Sequence, residues 1–191
     1  MQDNGVIVSN WLTNLITKWA RPGGDEAHLI YVQLASEARK PSLYLNFDIA
    51  DTLDGRFDAL TLLTVLVIRR LNRIEGKGRD FGQEVVDVMF ADMDLSLHEI
   101  GVSENKVSKK VKTMATAFLG RRQAYIKAID ANDKKALAGA LARNLYRDNG
   151  VDPTKNGLVK AVLAEAKRLD QLSDEALLSG KMGNMSGFDR S

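Results

Sequence analysis

The residues able to do chemistry are few and badly spaced for it. The chain has two histidines, His28 and His98, and no cysteine. Disulfides, thiol catalysis, iron–sulfur ligation and thiolate zinc sites are therefore excluded, and a multi-histidine metal site is nearly excluded. His98-Glu99 does not continue into a zinc-protease motif, because Val102 stands where the second histidine is required. Gly180-Lys181 is followed by Met182 and preceded by Glu175 in the place of the first glycine, so it is no phosphate-binding loop. Gly76-Lys77-Gly78 follows a helical pattern rather than a strand, against a dinucleotide fingerprint. Nor is there a Gly-x-Ser-x-Gly elbow. Asp92 and Asp94 lie two residues apart, hence on different faces of a helix, and make a poor acid–base pair. His98, four residues after Asp94, reads as a solvated or ion-paired side chain. The expectation is a protein with no catalytic residue, no metal and no cofactor.

Composition is that of an ordinary soluble globular protein. The 191 residues are 45% hydrophobic and 27% charged, ordinary for one globular domain with appendages. A net charge of +2 is too mild to indicate a nucleic-acid binder. The longest apolar stretch, residues 59–68, is half the roughly 20 residues that a bilayer crossing needs. The first eleven residues lack the basic start of a secretory signal and the arginine-rich pattern of a transit peptide. That fits a bacterial cytosolic protein peripheral to the inner membrane, or a matrix protein whose presequence is absent from this sequence.

The dominant periodicity is helical, with no alternating β pattern and no internal repeat. Val8, Trp11, Leu12, Leu15, Ile16 and Trp19 form an apolar stripe that ends before Pro22-Gly23-Gly24. A second helix spans 25–39, capped by Asp25 and stopped by Pro41. Residues 42–54 read as irregular, with one short turn at 43–47. The third helix, 57–74, is apolar on all sides over its first three turns, which marks a helix buried among others. A fourth, 80–99, has Asp80 and Gln83 spaced as a capping box and stops at Gly101. A fifth runs over 105–129 and a sixth over 132–147. Thr154 caps a seventh over 155–172, and Ser173 opens a short last one. The glycine- and serine-rich residues 180–191 read as a frayed tail. The domain plan is an N-terminal amphipathic helix and hinge over 1–24, an all-α single domain over 25–179 and the tail.

Charge separates between two helices. Residues 80–99 carry Asp80, Glu84, Asp87, Asp92, Asp94 and Glu99 without a lysine or arginine, whereas 105–129 carry Lys106, Lys109, Lys110, Lys112, Arg121, Arg122 and Lys127 without an acid. The short connection makes the two antiparallel neighbours. Either they neutralise each other, or each offers a single-sign stripe to a partner. At about 100° per residue, Val107, Val111, Met114, Phe118, Tyr125 and Ile129 share the fifth helix's apolar face, with the lysines opposite. Asp92 projects between Val85 and Val88, where an unpaired carboxylate costs several kcal/mol. It is expected to be buried and paired with an arginine, Arg121 before Arg122, Arg69 or Arg70. Met89, Met93 and Met114 either pack the core or line an adaptable surface.

Several strings in the middle of the chain, in order, resemble the ubiquinol–cytochrome c chaperone family. They are Leu53-Asp54-Gly55-Arg56-Phe57-Asp58, Val67-Ile68-Arg69-Arg70-Leu71, Phe90-Ala91-Asp92-Met93-Asp94, Glu99-Ile100-Gly101-Val102, Lys109-Lys110-Val111-Lys112-Thr113-Met114 and Phe118-Leu119-Gly120-Arg121. Leu63, His98 and Leu119 depart from the family pattern, where His, Arg and Tyr are common. The resemblance implies an all-helical, non-enzymatic assembly factor for respiratory complex III, binding newly made cytochrome b. In mitochondrial relatives this occurs at the ribosome with a small partner protein. Such a holder needs an apolar groove with a polar rim, for which Asp92, Asp94, Glu99, Lys109, Lys110, Lys112 and Arg121 are the candidate residues. Two further readings are an RNA- or ribosome-contacting protein that stacks bases on Phe118 and Tyr125, and a membrane-surface adaptor. The first helix supplies the latter's contact through Trp11, Leu15 and Trp19, tryptophan being favoured at bilayer interfaces.

Overall fold

A computed structural model of the protein describes residues 24–189. The expected helix with Trp11, Leu15 and Trp19 lies outside the described residues. Within them all regular structure is helical: α1 (Asp25–Ala38), α2 (Pro41–Phe47), α3 (Leu53–Leu71), α4 (Gly78–Glu99), α5 (Glu104–Asp130), α6 (Lys134–Asn144), α7 (Leu158–Asp170), α8 (Asp174–Leu178) and a 3₁₀ turn (Ser186–Phe188). No helix among them is long and apolar enough to cross a membrane.

The all-round apolar helix is the axis of the fold. α3 packs on α1, α4, α5 and α7, and every residue from Asp58 to Leu71 is buried. Its start is tightly specified. The Thr52 hydroxyl accepts the Gly55 N–H at 3.1 Å, and a Cβ on Gly55 would stand 1.9 Å from the Ala50 carbonyl oxygen. Only glycine fits there. α4 and α5 pack on each other beside α3. They join through Gly101, whose φ of 83° suits a helix stop.

Several local expectations give way to stronger ones. Residues 48–52 are irregular as expected, but the short turn expected at 43–47 is a full helix: α2 forms because Pro41 sits at the first helical position, where no N–H is needed, and because Leu43, Tyr44 and Phe47 bury one face. Gly24, not Asp25, is the N-cap of α1. At α4 the expected capping box is absent, and the Gln83 amide donates to Asp87 instead. Asn132 adopts a left-handed φ of 49°, so α6 begins only after Asp133, whose carboxylate caps Ala136 N–H. Thr154 bonds to Asp152 within a turn, and α7 starts at Leu158 behind left-handed Gly157.

The C-terminal residues are not frayed through residue 189. Met182, Met185 and Phe188 are buried, and the Phe188 ring meets Phe47 edge-on at 6.0 Å. Gln33 of α1 holds the segment from both sides, donating to Gly180 O at 2.6 Å and accepting from Met182 N at 3.3 Å. Buried Glu165 accepts from Gly187 N. Three apolar residues at three-residue spacing outweigh the flexible composition around them.

At its far end α3 carries Arg69, nearly enclosed, which contacts Asp130 at 2.6 Å and Asp170 at 2.9 Å. Arg73 reaches the same two carboxylates at 2.7 and 3.0 Å. Arg70 pairs with Asp174 and donates to Leu172 O. Asp130 and Asp170 close α5 and α7, so cations sit where helix C-termini favour them. Breaking a buried pair costs about 3–5 kcal/mol. Because Asp130 and Asp170 keep some solvent, Arg69→Ala should cost somewhat less, about 2–3 kcal/mol, read by urea or thermal unfolding. Phe188→Ala should cost about 3 kcal/mol in the same assay. No change would mean that residues 180–189 do not belong to the core.

Candidate functional site

Four helices each give one face to a single groove. α1 contributes Tyr31, Ala35 and Ala38; α3 contributes Leu53, Phe57 and Leu60; α4 contributes Met93, Leu97 and Ile100; α5 contributes Lys110 and Met114. Each set follows the three- and four-residue spacing that puts side chains on one helical face. The groove holds about 320 Å³. Leu53 and Ile100 stand on its lip at 56% and 64% exposure and extend its apolar surface toward solvent. Beyond Phe57 the groove continues into a second recess of about 480 Å³ along α5, lined by Lys106, Lys109, Thr113, Ala117, Arg121 and Arg147. Asp54, Phe57, Lys110 and Met114 border both parts.

Polar groups are placed sparingly within it. Asp92 is half-buried and accepts a short hydrogen bond from the Tyr31 hydroxyl. Burial and then this carboxylate raise the Tyr31 phenol far above its ordinary pKa. Asp92 is thus satisfied by a phenol and makes no arginine pair among the described residues. The expected pair with Arg121 is not formed, because Arg121 belongs to Asp58. Its Nη2 lies 2.8 Å from Asp58 Oδ1, its Cζ sits 5.4 Å above the Phe57 ring centroid, and its Nη2 also donates to Asn144 O. Arg147 joins from the solvent side, 3.2 Å from both Asp58 and Asp54. Burial raises the Asp58 carboxyl above the usual range, and the two guanidiniums offset this only in part. The Arg121 contact lies off the N–H direction. Among the described residues, Asp58 Oδ1 and the buried Nε and Nη1 of Arg121 therefore carry no hydrogen bond.

The structure brings together part of the set expected from sequence. Asp92, Lys110, Lys109 and Arg121 line the groove or its recess. Lys112 is exposed outside both, Glu99 is exposed at the end of α4, and Asp94 faces His98 at 3.6 Å. No ion pair among the described residues links an α4 acid to an α5 lysine, so the two helices do not neutralise each other by direct contact. Met89 is core, whereas Met93 and Met114 are half-buried groove residues. Phe118 and Tyr125 are fully buried, which removes the base-stacking residues of the RNA reading. Sequence reasoning missed Tyr31, Phe57, Asp58 and Arg147. Asp58 left a signal: it is an acid at the head of a helix that is otherwise apolar on all sides.

The described residues thus form an all-helical bundle with a largely apolar, methionine-containing groove and a charged rim. Residues 45–184 match the ubiquinol-cytochrome C chaperone family, and the chain belongs to that family. It is also similar to the crystal structure of the Cbp3 homolog from Brucella abortus. The TM-score is 0.74 and the identity 32%, with 91% of this chain and 97% of that one covered. No curated protein matches the chain.

Removing one member of the Asp58–Arg121 pair strands the other, so Asp58→Ala should cost about 3 kcal/mol. Asp92→Ala loses one hydrogen bond and should cost about 1 kcal/mol. The double variant Asp58→Leu, Arg121→Met should recover most of the first loss, as apolar replacements of buried pairs do. Thermal unfolding of the three variants checks the ranking.

Proposed function

We propose that the protein is a non-enzymatic assembly chaperone of ubiquinol–cytochrome c reductase that holds newly made cytochrome b in the α1–α3–α4–α5 groove. The observation that carries this reading is the groove itself, which has a largely apolar floor, two exposed aliphatic residues on the lip and charges restricted to the rim. That composition suits an amphipathic helix laid lengthwise, with its apolar face inward. Cytochrome b is a multi-helix membrane protein whose segments are apolar before they pack, and a groove this size shields one such face. Met93 and Met114 adapt to different side chains because thioethers are flexible and polarizable. Family membership and the likeness to a Cbp3 homolog support the assignment to complex III biogenesis.

The rim assigns roles within this reading. Lys110, Lys109 and Arg39 supply positive charge, and Asp54 and Asp92 negative charge, fixing the client's direction rather than its affinity. Trp11, Leu15 and Trp19 are proposed as a peripheral membrane contact that keeps the groove near the site of insertion.

The test is capture of cytochrome b from native membranes by tagged full-length chain. Leu53→Glu and Ile100→Glu place charge on the lip at exposed positions and should leave folding intact. Each should weaken capture by about tenfold or more, equivalent to about 1.4 kcal/mol. Leu45→Glu, at an equally accessible apolar position outside the groove, should have no effect. Undiminished capture by both lip variants would place the client elsewhere.

A further inference from the structure

A second recess lies at the other end of α4. It holds about 320 Å³, with Ile68 of α3, Asn72 just beyond the end of that helix, Arg79, Asp80 and Gln83 of α4, and Arg122 of α5 on its walls. Gln83 is nine residues from Asp92, about 14 Å along the helix at 1.5 Å per residue. This recess shares no residue with the groove or its extension.

One of its two arginines is set apart from the other enclosed ones. Five arginines among the described residues are buried or half-buried: Arg69, Arg70, Arg121, Arg122 and Arg168. Four of them contact a carboxylate at 2.5–2.9 Å. Arg122 is the exception, and Arg79, which faces the same recess, has no carboxylate partner either among the described residues. Asp80 is present on the wall but pairs with neither. Burial and the positive charge of Arg79 both make the Arg122 guanidinium harder to keep charged. Two like charges directed into one polar recess repel, and the arrangement is relieved by a counter-anion. The start of α4 adds to the positive potential, since its N-cap Lys77 supplies no side-chain acceptor and the first N–H groups remain free of a cap. The recess is larger than a single oxyanion requires, so there is space for the rest of a small ligand.

We infer that Arg79 and Arg122, with the first turn of α4, form a binding site for a phosphate group, carried either by an anionic lipid headgroup or by a small soluble phosphate compound. Guanidinium forks match phosphate oxygens two at a time, which suits a pair of arginines converging from two helices. The inference is independent of what occupies the groove.

Inorganic phosphate and vesicles are the two probes, used on the full chain. Phosphate should raise the melting temperature above that in chloride at equal ionic strength. The rise should be lost in both Arg79→Gln and Arg122→Gln but kept in Lys112→Gln, an exposed lysine outside the recess. Binding to vesicles of phosphatidylglycerol in phosphatidylcholine should fall at least fivefold in the same two variants if the source is a headgroup. Phosphate stabilisation without variant-sensitive vesicle binding identifies a soluble ligand, and variant-sensitive vesicle binding without it identifies a lipid. Without any anion added, Arg122→Gln should be neutral or stabilising, because it removes repulsion. If it fails to fold, the recess is structural and the inference is wrong. Arg79→Gln, at an exposed position, gives a second binding readout that does not depend on packing in the recess. No binding of either probe, or binding indifferent to both substitutions, overturns the site.

Discussion

Burying α3 on every side is the constraint that organises this protein. A helix without a solvent face must find internal partners for each polar group it carries. Asp58, Arg69 and Arg70 are those groups at its two ends. At the far end Arg69 and Arg70 draw in Asp130, Asp170 and Asp174, which fixes the ends of α5 and α7 and the start of α8. At the near end Asp58 draws in Arg121 and Arg147, which places the middle of α5 and the segment after α6 beside Phe57. The neighbours of α3 are therefore held in register by charges that the central helix cannot leave unpaired.

The groove is a product of the same arrangement. α1, α4 and α5 each pack on α3, and beside its N-terminal end, at Leu53 and Phe57, they border the groove instead of closing over it. The charged groups that border this opening are engaged with one another, Asp92 by the Tyr31 hydroxyl and Asp58 by ion pairs to two arginines, even though Asp58 Oδ1 and two nitrogens of Arg121 lack a hydrogen bond. What stays available to a visitor is mainly hydrocarbon and thioether. A surface of that kind gives affinity without demanding a particular hydrogen-bond pattern, which suits a client that must later be released to pack elsewhere.

Much of this was legible from residue types and their spacing. The all-round apolar character of residues 59–68 located the central helix, and the Gly101 loop located the α4–α5 pair. What escaped has physical causes. The wheel placed Asp92 correctly near an apolar arc, but projection on one helix contains no information about Tyr31, 61 residues away. α2 was hidden because seven residues are too few for a periodicity to declare itself, and Pro41 favours a helix start as readily as a stop. The tail was misread because glycine and serine dominate its composition, whereas Met182, Met185 and Phe188 determine its fate. Arg121 was placed in the site for the wrong reason: its partner is the acid on α3.

The clasp between Gln33 and residues 180–182 bears on how the chain is made. It joins positions 147 and 149 residues apart. A polypeptide leaving the ribosome exposes α1 well before residues 180–188, which pack beside α1 and α2. Contacts of such long sequence separation form late and slowly. Until residue 188 has cleared the exit tunnel, the edge-on contact between Phe188 and Phe47 cannot form. This protein therefore spends its own synthesis with unsheltered apolar surface, the same hazard from which, on the reading proposed above, it later protects its client.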